Sequence, residues 1–181
     1  MNFERKFLIS LPTLLDGNFR HSVIYMDQHN GDGAKGWVVN KEIDNRAAVR
    51  LRKSIQLGVN APIYYGGPVD VNQCYVLHSS DISIKQSRLL NTDLYVTRDK
   101  EIIKMLNAGT FPKFWKVIIG SASWGAGQLE SEVLGSRTNG NSVWSDIEYD
   151  QELMWKVPAQ DQWNKAIDNI ALSKTKNYLN F

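Results

Sequence analysis

The stretch Lys116-Val-Ile-Ile-Gly-Ser-Ala-Ser-Trp-Gly-Ala-Gly-Gln-Leu-Glu130 reads as a strand, a tight glycine-rich turn and the start of a helix. The apolar, β-branched run from Lys116 to Gly120 has the length of a buried strand. Gly120, Gly125 and Gly127 can take positive φ or admit a close backbone. A helix beginning near Gln128 leaves its first N–H groups without intrahelical partners, and anions or carbonyl oxygens suit that place.

Outward from this stretch, Ile102, Ile103 and Leu106 predict a helix begun by Thr97 or Asp99 and stopped by Gly109 and Pro112. Ala61 to Tyr65, Gln73 to Leu77 and Asn91 to Val96 read as strands, and Asp44 or Asn45 caps a helix running to Leu57 and closed by Gly58. His21 to Met26 and Lys35 to Asn40 form a β-hairpin around a long loop, Asp27 to Ala34. The unbroken apolar run from Val23 to Met26 predicts burial on both faces. Phe7 to Ser10 is a further short strand. On the other side, Ser136 to Ser142 reads as a mobile surface loop, Ile147 to Tyr149 and Leu153 to Val157 as strands, and Trp163, Ile167 and Ile170 as the seam of a last helix whose tail frays over residues 173–181. Strands cluster between single helices, so the expected fold is α+β with a mixed, largely antiparallel sheet in one domain over residues 1–181.

Of the 181 residues 43% are hydrophobic, enough for a packed core without staples. Cys74 alone cannot form an intrachain disulfide, so nothing calls for an oxidising compartment and a cytoplasmic location is expected. Phe7 to Leu15 is interrupted by Pro12 and ends at Asp16, too short to span a bilayer and a poor signal-peptide core, so no membrane association is expected. Lys and Arg total 21 against 19 Asp and Glu, which gives little of the broad positive field used in sequence-independent nucleic-acid binding. Direct nucleic-acid contact is allowed but not favoured.

Several chemistries fail on spacing. Gly127 is followed by Gln128-Leu129, so the lysine of a P-loop is absent, and Glu130 stands where a dinucleotide fingerprint needs glycine. Ser121-Ala122-Ser123-Trp124-Gly125 is one residue short of a nucleophile elbow, although all three histidines, His21, His29 and His78, precede Ser123. Cys74 and His78 would lie roughly 13 Å apart along a strand, and no zinc-type spacing occurs, so no metal or cofactor is expected. Arg46, Arg50 and Lys53 form a basic helix face that could meet phosphates or simply be solvated. Tyr65-Gly66-Gly67-Pro68-Val69 bends the backbone sharply, either to turn the chain or to bare it to a ligand.

Together these blocks resemble the AlgH-like (YqgE) family of bacterial proteins. The resemblance rests on Phe19, Ser22-Val23-Ile24-Tyr25, His29-Asn30, Asp32-Gly33-Ala34, Gly36-Trp37-Val38-Val39-Asn40, Tyr65-Gly66-Gly67-Pro68-Val69, Val76-Leu77-His78, Gly120 and Trp124 to Glu130, over about Phe7 to Glu132. It implies an α+β fold whose bifurcated sheet forms a pseudo-barrel flanked by helices, in a cytoplasmic protein. It also brings a label of transcriptional regulator, tied by name to alginate synthesis, and no catalytic residues. The family tends to have an aromatic residue where this chain has Ser121 and often glycine where it has Ser123, and the segment after Glu132 departs from its pattern.

Asn40, Gly66, Gly67, Pro68, His78, Trp124, Gly125, Gly127, Gln128 and Glu130 are therefore expected to line one groove, because blocks distant in sequence all fall at strand ends. Such a groove would make the protein a binding or regulatory module for a small polar ligand or a peptide-like partner. Two alternatives stay open: a hydrolase using Ser123 or a water polarised by His78 and Glu130, and a nucleic-acid-associated regulator using Arg46, Arg50 and Lys53.

Overall fold

A computed structural model describes residues 1–136 and 140–179, and in it nine strands and five helices follow one another. The order is β1 (Lys6–Ser10), β2 (Val23–Asn30), β3 (Gly33–Val38), α1 (Asn45–Ser54), β4 (Ile63–Tyr65), β5 (Val69–Ser79), β6 (Arg88–Asn91), β7 (Leu94–Thr97), α2 (Lys100–Asn107), β8 (Trp115–Gly125), α3 (Gln128–Val133), β9 (Trp144–Glu148), α4 (Gln151–Trp155) and α5 (Ala159–Leu179). Eight strands pair in the order β6-β7-β5-β8-β3-β2-β1-β9, every neighbour antiparallel, and curl into a half-barrel.

β8 is where the sheet bifurcates. It keeps β5 on one side, while its other side takes β4 in parallel from Val117 to Ile119 and then β3 antiparallel from Ala122 to Gly125. Gly120 makes the change possible. Before it, Ile118 faces the core cluster of Phe7, Tyr25, Trp37 and Tyr75, and Val117 and Ile119 face another built on α1 and α2. After it, Ala122 and Trp124 face outward, into a third cluster with Ile24, Met26 and Leu129. Strict alternation would turn Ala122 and Trp124 inward, so Gly120, at φ 81°, shifts the alternation by one residue as a bulge does. The backbone of Gly66 and Gly67 crosses here: a Cβ would stand 2.2 Å from Gly120 O at Gly66 and 2.3 Å from Ser121 O at Gly67.

The run through Ser121 to Gly125 is thus strand, not turn, and only Ala126 and Gly127 separate it from the short helix α3. The expected long hairpin loop shrinks to Gly31 and Asp32, since His29 pairs with Ala34 beyond a bulge at Asp27. β2 is apolar at its start because Val23 and Tyr25 face one cluster and Ile24 and Met26 another. β6 and β7 form a hairpin in place of the single expected strand. Leu153 and Met154 lie in helix α4, not a strand, because the Asp150 carboxylate caps Glu152 N and Leu153 N. α1 stops before Gly58, with Gln56 taking the left-handed turn at φ 60°. α5 continues through Ser173 to Leu179, while residues 180 and 181 and the centre of the expected 136–142 loop, 137–139, lie outside the described residues.

Candidate functional site

Residues 70–73 loop out of the β5–β8 ladder, which pairs Val69 with Ser121 and then Cys74 with Ile119, so four residues stand against Gly120 alone. This arm is tied down by Asp70, a non-glycine residue at φ 51°. One carboxylate oxygen, Oδ2, accepts from Lys35 Nζ at 3.0 Å, Ser121 Oγ at 3.1 Å and Tyr75 OH at 3.3 Å. The Lys35 ammonium, followed by the Ser121 hydroxyl, holds that carboxyl below the usual carboxylate range.

Between this arm, the C-terminal end of α1, β6, β7 and the start of α2 lies a groove of about 810 Å³. Trp37 and Tyr75 form its floor, 2% and 4% exposed, with ring centroids 5.2 Å apart. Val96, Ile102 and Ile103 add apolar wall. Four cations, Arg88, Arg98, Lys100 and Lys104, stand around it against one carboxylate, Asp99, whose Oδ1 is already engaged by Glu101 N at 2.9 Å. Arg98 donates to Gln73 Oε1 and places its guanidinium 5.5 Å from the Tyr75 ring centroid. Arg88 clasps Asp27 through two bonds of 2.8 and 2.7 Å, and with Tyr25 OH on Leu90 O at 3.1 Å this fastens the β6 end of the half-barrel to β2. The indole Nε1 of Trp37 is buried without a hydrogen-bond partner. Burial pushes the Cys74 thiol up to about 11, which leaves it a poor nucleophile near neutrality.

None of the ten residues expected to share one groove lines this one; the structure distributes them over separate places. Asn40 ties β2 to the chain after β3, with Oδ1 accepting from Val23 N at 2.8 Å and Nδ2 donating to His21 O at 3.0 Å, at the edge of a recess of about 320 Å³ shared with Trp163. Gly66 and Gly67 are buried at the branch point, with Pro68 exposed beside them. His78 is fully buried, its ring nitrogens on Ser79 O and Ser87 Oγ at 2.9 Å each, and burial lowers its pKa. Trp124 donates its indole N–H to Glu132 at 3.2 Å, Trp144 does the same at 2.7 Å, and Gln128 bonds both Gly125 N and Glu132. Gly127, at φ 68°, turns the chain into α3.

Glu130 pairs with His29, not His78. His29 Nδ1 accepts from Phe3 N at 3.2 Å, so Nε2 carries the proton and donates to Glu130 Oε1 at 3.0 Å. His78 lies opposite Trp115, and His29 lies level with Trp124 across Ala34, which separates the two by roughly 30 Å of strand. No water can be shared between His78 and Glu130. Ser123 is exposed in the row of Lys35, while His29 belongs to the opposite row with Ala34 and Trp124, so Ser123 meets no histidine base. Arg46, Arg50 and Lys53 are exposed on α1. Among the described residues no three His, Cys, Asp or Glu gather closely enough to hold a metal ion, and no helix is long and apolar enough to cross a membrane.

The groove residues escape a reading of the sequence because each has an ordinary role on its own element. Trp37 sits in a β-prone run and Tyr75 in another, while Arg98-Asp99-Lys100 reads as a helix cap flanked by solvated cations. Their only joint signal is the cationic excess at the β7–α2 junction.

The AlgH-like family model matches residues 7–174. The chain belongs to the AlgH-like family. It is 32% identical over 182 residues to a UPF0301 protein of Vibrio cholerae, covering 96% of this chain and 94% of the relative. A UPF0301 protein of Ralstonia nicotianae is 32% identical over 178 residues, covering 96% and 90%. The solution structure of the AlgH protein from Pseudomonas aeruginosa superposes with a TM-score of 0.72 at 28% identity, over 93% of this AlgH-like chain and 88% of that one. A crystal structure of a Corynebacterium diphtheriae protein shares the fold, with a TM-score of 0.67 at 18% identity over 90% and 84% of the two chains.

Proposed function

We propose that this AlgH-like protein is a non-catalytic binding module and that the groove above Trp37 and Tyr75 is its recognition surface. One observation carries the reading: a cavity of about 810 Å³, within the size range of small-molecule sites, has an apolar floor and a rim of cations and carboxamides. Cys74, the groove's one thiol, is held protonated by burial, and His78, the most buried histidine, has both nitrogens engaged away from the groove. Binding would act on the arm 70–73 and on the β6–β2 fastening, the two places where the groove wall is held by side chains instead of ladder bonds. A regulatory role would follow if an occupied groove presents a different rim to a partner.

The test is a titration of ¹⁵N-labelled protein with a panel of polar metabolites and short peptides. The expected shifts fall on residues 54–56, 72–76 and 96–107. Shifts confined to the Asn40 recess or to Trp124–Glu130 would overturn the assignment.

A further inference from the structure

Resting on that reading of the groove, we infer that its ligand carries an oxyanion, a phosphate or carboxylate group, seated among Arg98, Lys100 and the floor below. The whole chain has an excess of only two positive charges, yet the rim alone holds four cations and one carboxylate. Pairing removes Arg88, which Asp27 neutralises, and leaves Arg98, Lys100 and Lys104 against Asp99. Asp99 caps α2 through Oδ1 and keeps its charge, so three cations face one carboxylate. Arg98 and Lys100 flank the N-terminus of that eight-residue helix, which the Asp99 carboxylate already caps, so the excess charge comes from the side chains.

The floor beneath the rim also holds an unsatisfied donor. Trp37 is 2% exposed and lines the groove, and its Nε1–H, a donor that can accept nothing, has no partner. Buried donors are nearly always satisfied. Gln73, Asn72 and Gln86 add carboxamides to the rim, so the groove is rich in donors and holds a single, engaged carboxylate. Arg98 is held ready to grip a planar oxyanion, because Gln73 and the Tyr75 ring fix its guanidinium and so lower the ordering cost of binding. Ile55, Val96 and Ile103 leave room for a small apolar remainder.

The experiment uses inorganic phosphate, phenyl phosphate, benzoate, benzyl alcohol and a single-stranded oligonucleotide as probes, read through the Trp37 indole N–H and backbone shifts of the full chain. Phenyl phosphate or benzoate should move the Trp37 indole and residues 96–100, benzyl alcohol should not, and Arg98→Gln or Lys100→Gln should weaken binding about tenfold or more, the worth of one charge-assisted hydrogen bond. Both variants are on the rim and should keep the wild-type spectrum elsewhere. Preference between phenyl phosphate and benzoate separates phosphate from carboxylate, and an oligonucleotide that outcompetes phenyl phosphate identifies a polymeric phosphate source. Oxyanion binding unchanged by both substitutions overturns the inference. If neutral molecules shift the groove and oxyanions do not, the inference falls while the binding reading stands. If no probe reaches the groove, both fall.

Discussion

Lys116 is the residue with the largest energetic consequence relative to its visibility in the sequence. It is 6% exposed, and its ammonium donates to Val39 O at 3.0 Å and sits 4.1 Å from the Tyr64 ring centroid. Burial pushes its pKa down to about 8, with Glu42 opposing the shift. The folded protein therefore releases this proton before the unfolded chain does. Between about pH 8 and the ordinary lysine value near 10.4 the unfolded state holds this proton more often, so the contribution of Lys116 to stability rises with pH across that window, by roughly 3 kcal/mol in all. Below pH 8 the penalty is fully present. Cys74, raised to about 11 from an ordinary 9.0, and Tyr64, raised to about 12, act in the opposite sense from about pH 9 upward and overlap that window, so the difference between wild type and a Lys116 variant is what isolates Lys116. Lys116→Met should be more stable than wild type at pH 7, by about 1–3 kcal/mol, with the gap closing by about pH 10 in urea titrations. Parallel pH profiles would show that the amine is not desolvated.

Among elements, β8 decides most. Its apolar start and its following helix are legible in the sequence, since β-branched residues, Gly127 and the Leu129–Val133 spacing act locally. That it runs on through Ser121 to Gly125 is not, because the shift at Gly120 exists only to serve β3 and β4, neither of which is near it in sequence. α4 misleads for a related reason: Leu153 and Trp155 alternate as a strand would, and the cap at Asp150 settles the matter. Substitutions can grade these glycines. At Gly120 alanine meets positive φ and a Cβ 2.5 Å from Gly67 O, whereas at Gly127 it meets positive φ with nothing within 4 Å. Gly120→Ala should cost about 2–4 kcal/mol and Gly127→Ala about 1 kcal/mol in denaturant unfolding. Equal costs would mean that the crossing of Gly67 over Gly120 is looser than these distances imply.

At the scale of the molecule, the blocks that mark the family build the frame and give the groove only Trp37 and Val76, the rest of its lining coming from other residues. Gly66, Gly67 and Gly120 let three strands meet, and α3 is docked by Glu132, which accepts from the Trp124 indole, and by Gln128, which accepts from Gly125 N. The fold class follows from the pattern of strands and helices and the bifurcation is implied by the resemblance that those blocks carry, whereas the groove is implied by neither. Its floor and rim come from β3, β5, β6, β7, α1 and α2, and only curling of the sheet brings Trp37 beneath Tyr75 and Arg98. The curl is fastened by Arg88 on Asp27, whose side chain is only 4% exposed. Arg88→Ala strands that carboxylate and should cost about 2 kcal/mol, discounted because the guanidinium itself is half in solvent. Adding Asp27→Asn should recover part of the loss in a double-mutant cycle, and additive effects would mean that the pair does not couple.

The continuation of β8 past β4 and on to β3 has an optical consequence. Trp124, near the Gly125 end of β8, and Trp144 of β9 meet edge to face at 5.8 Å, both donating to Glu132. Trp37 lies at the groove while this pair lies against Glu132, so Trp37→Phe would leave an intrinsic emission in which the pair reports on the α3 end of the sheet without any dye attached.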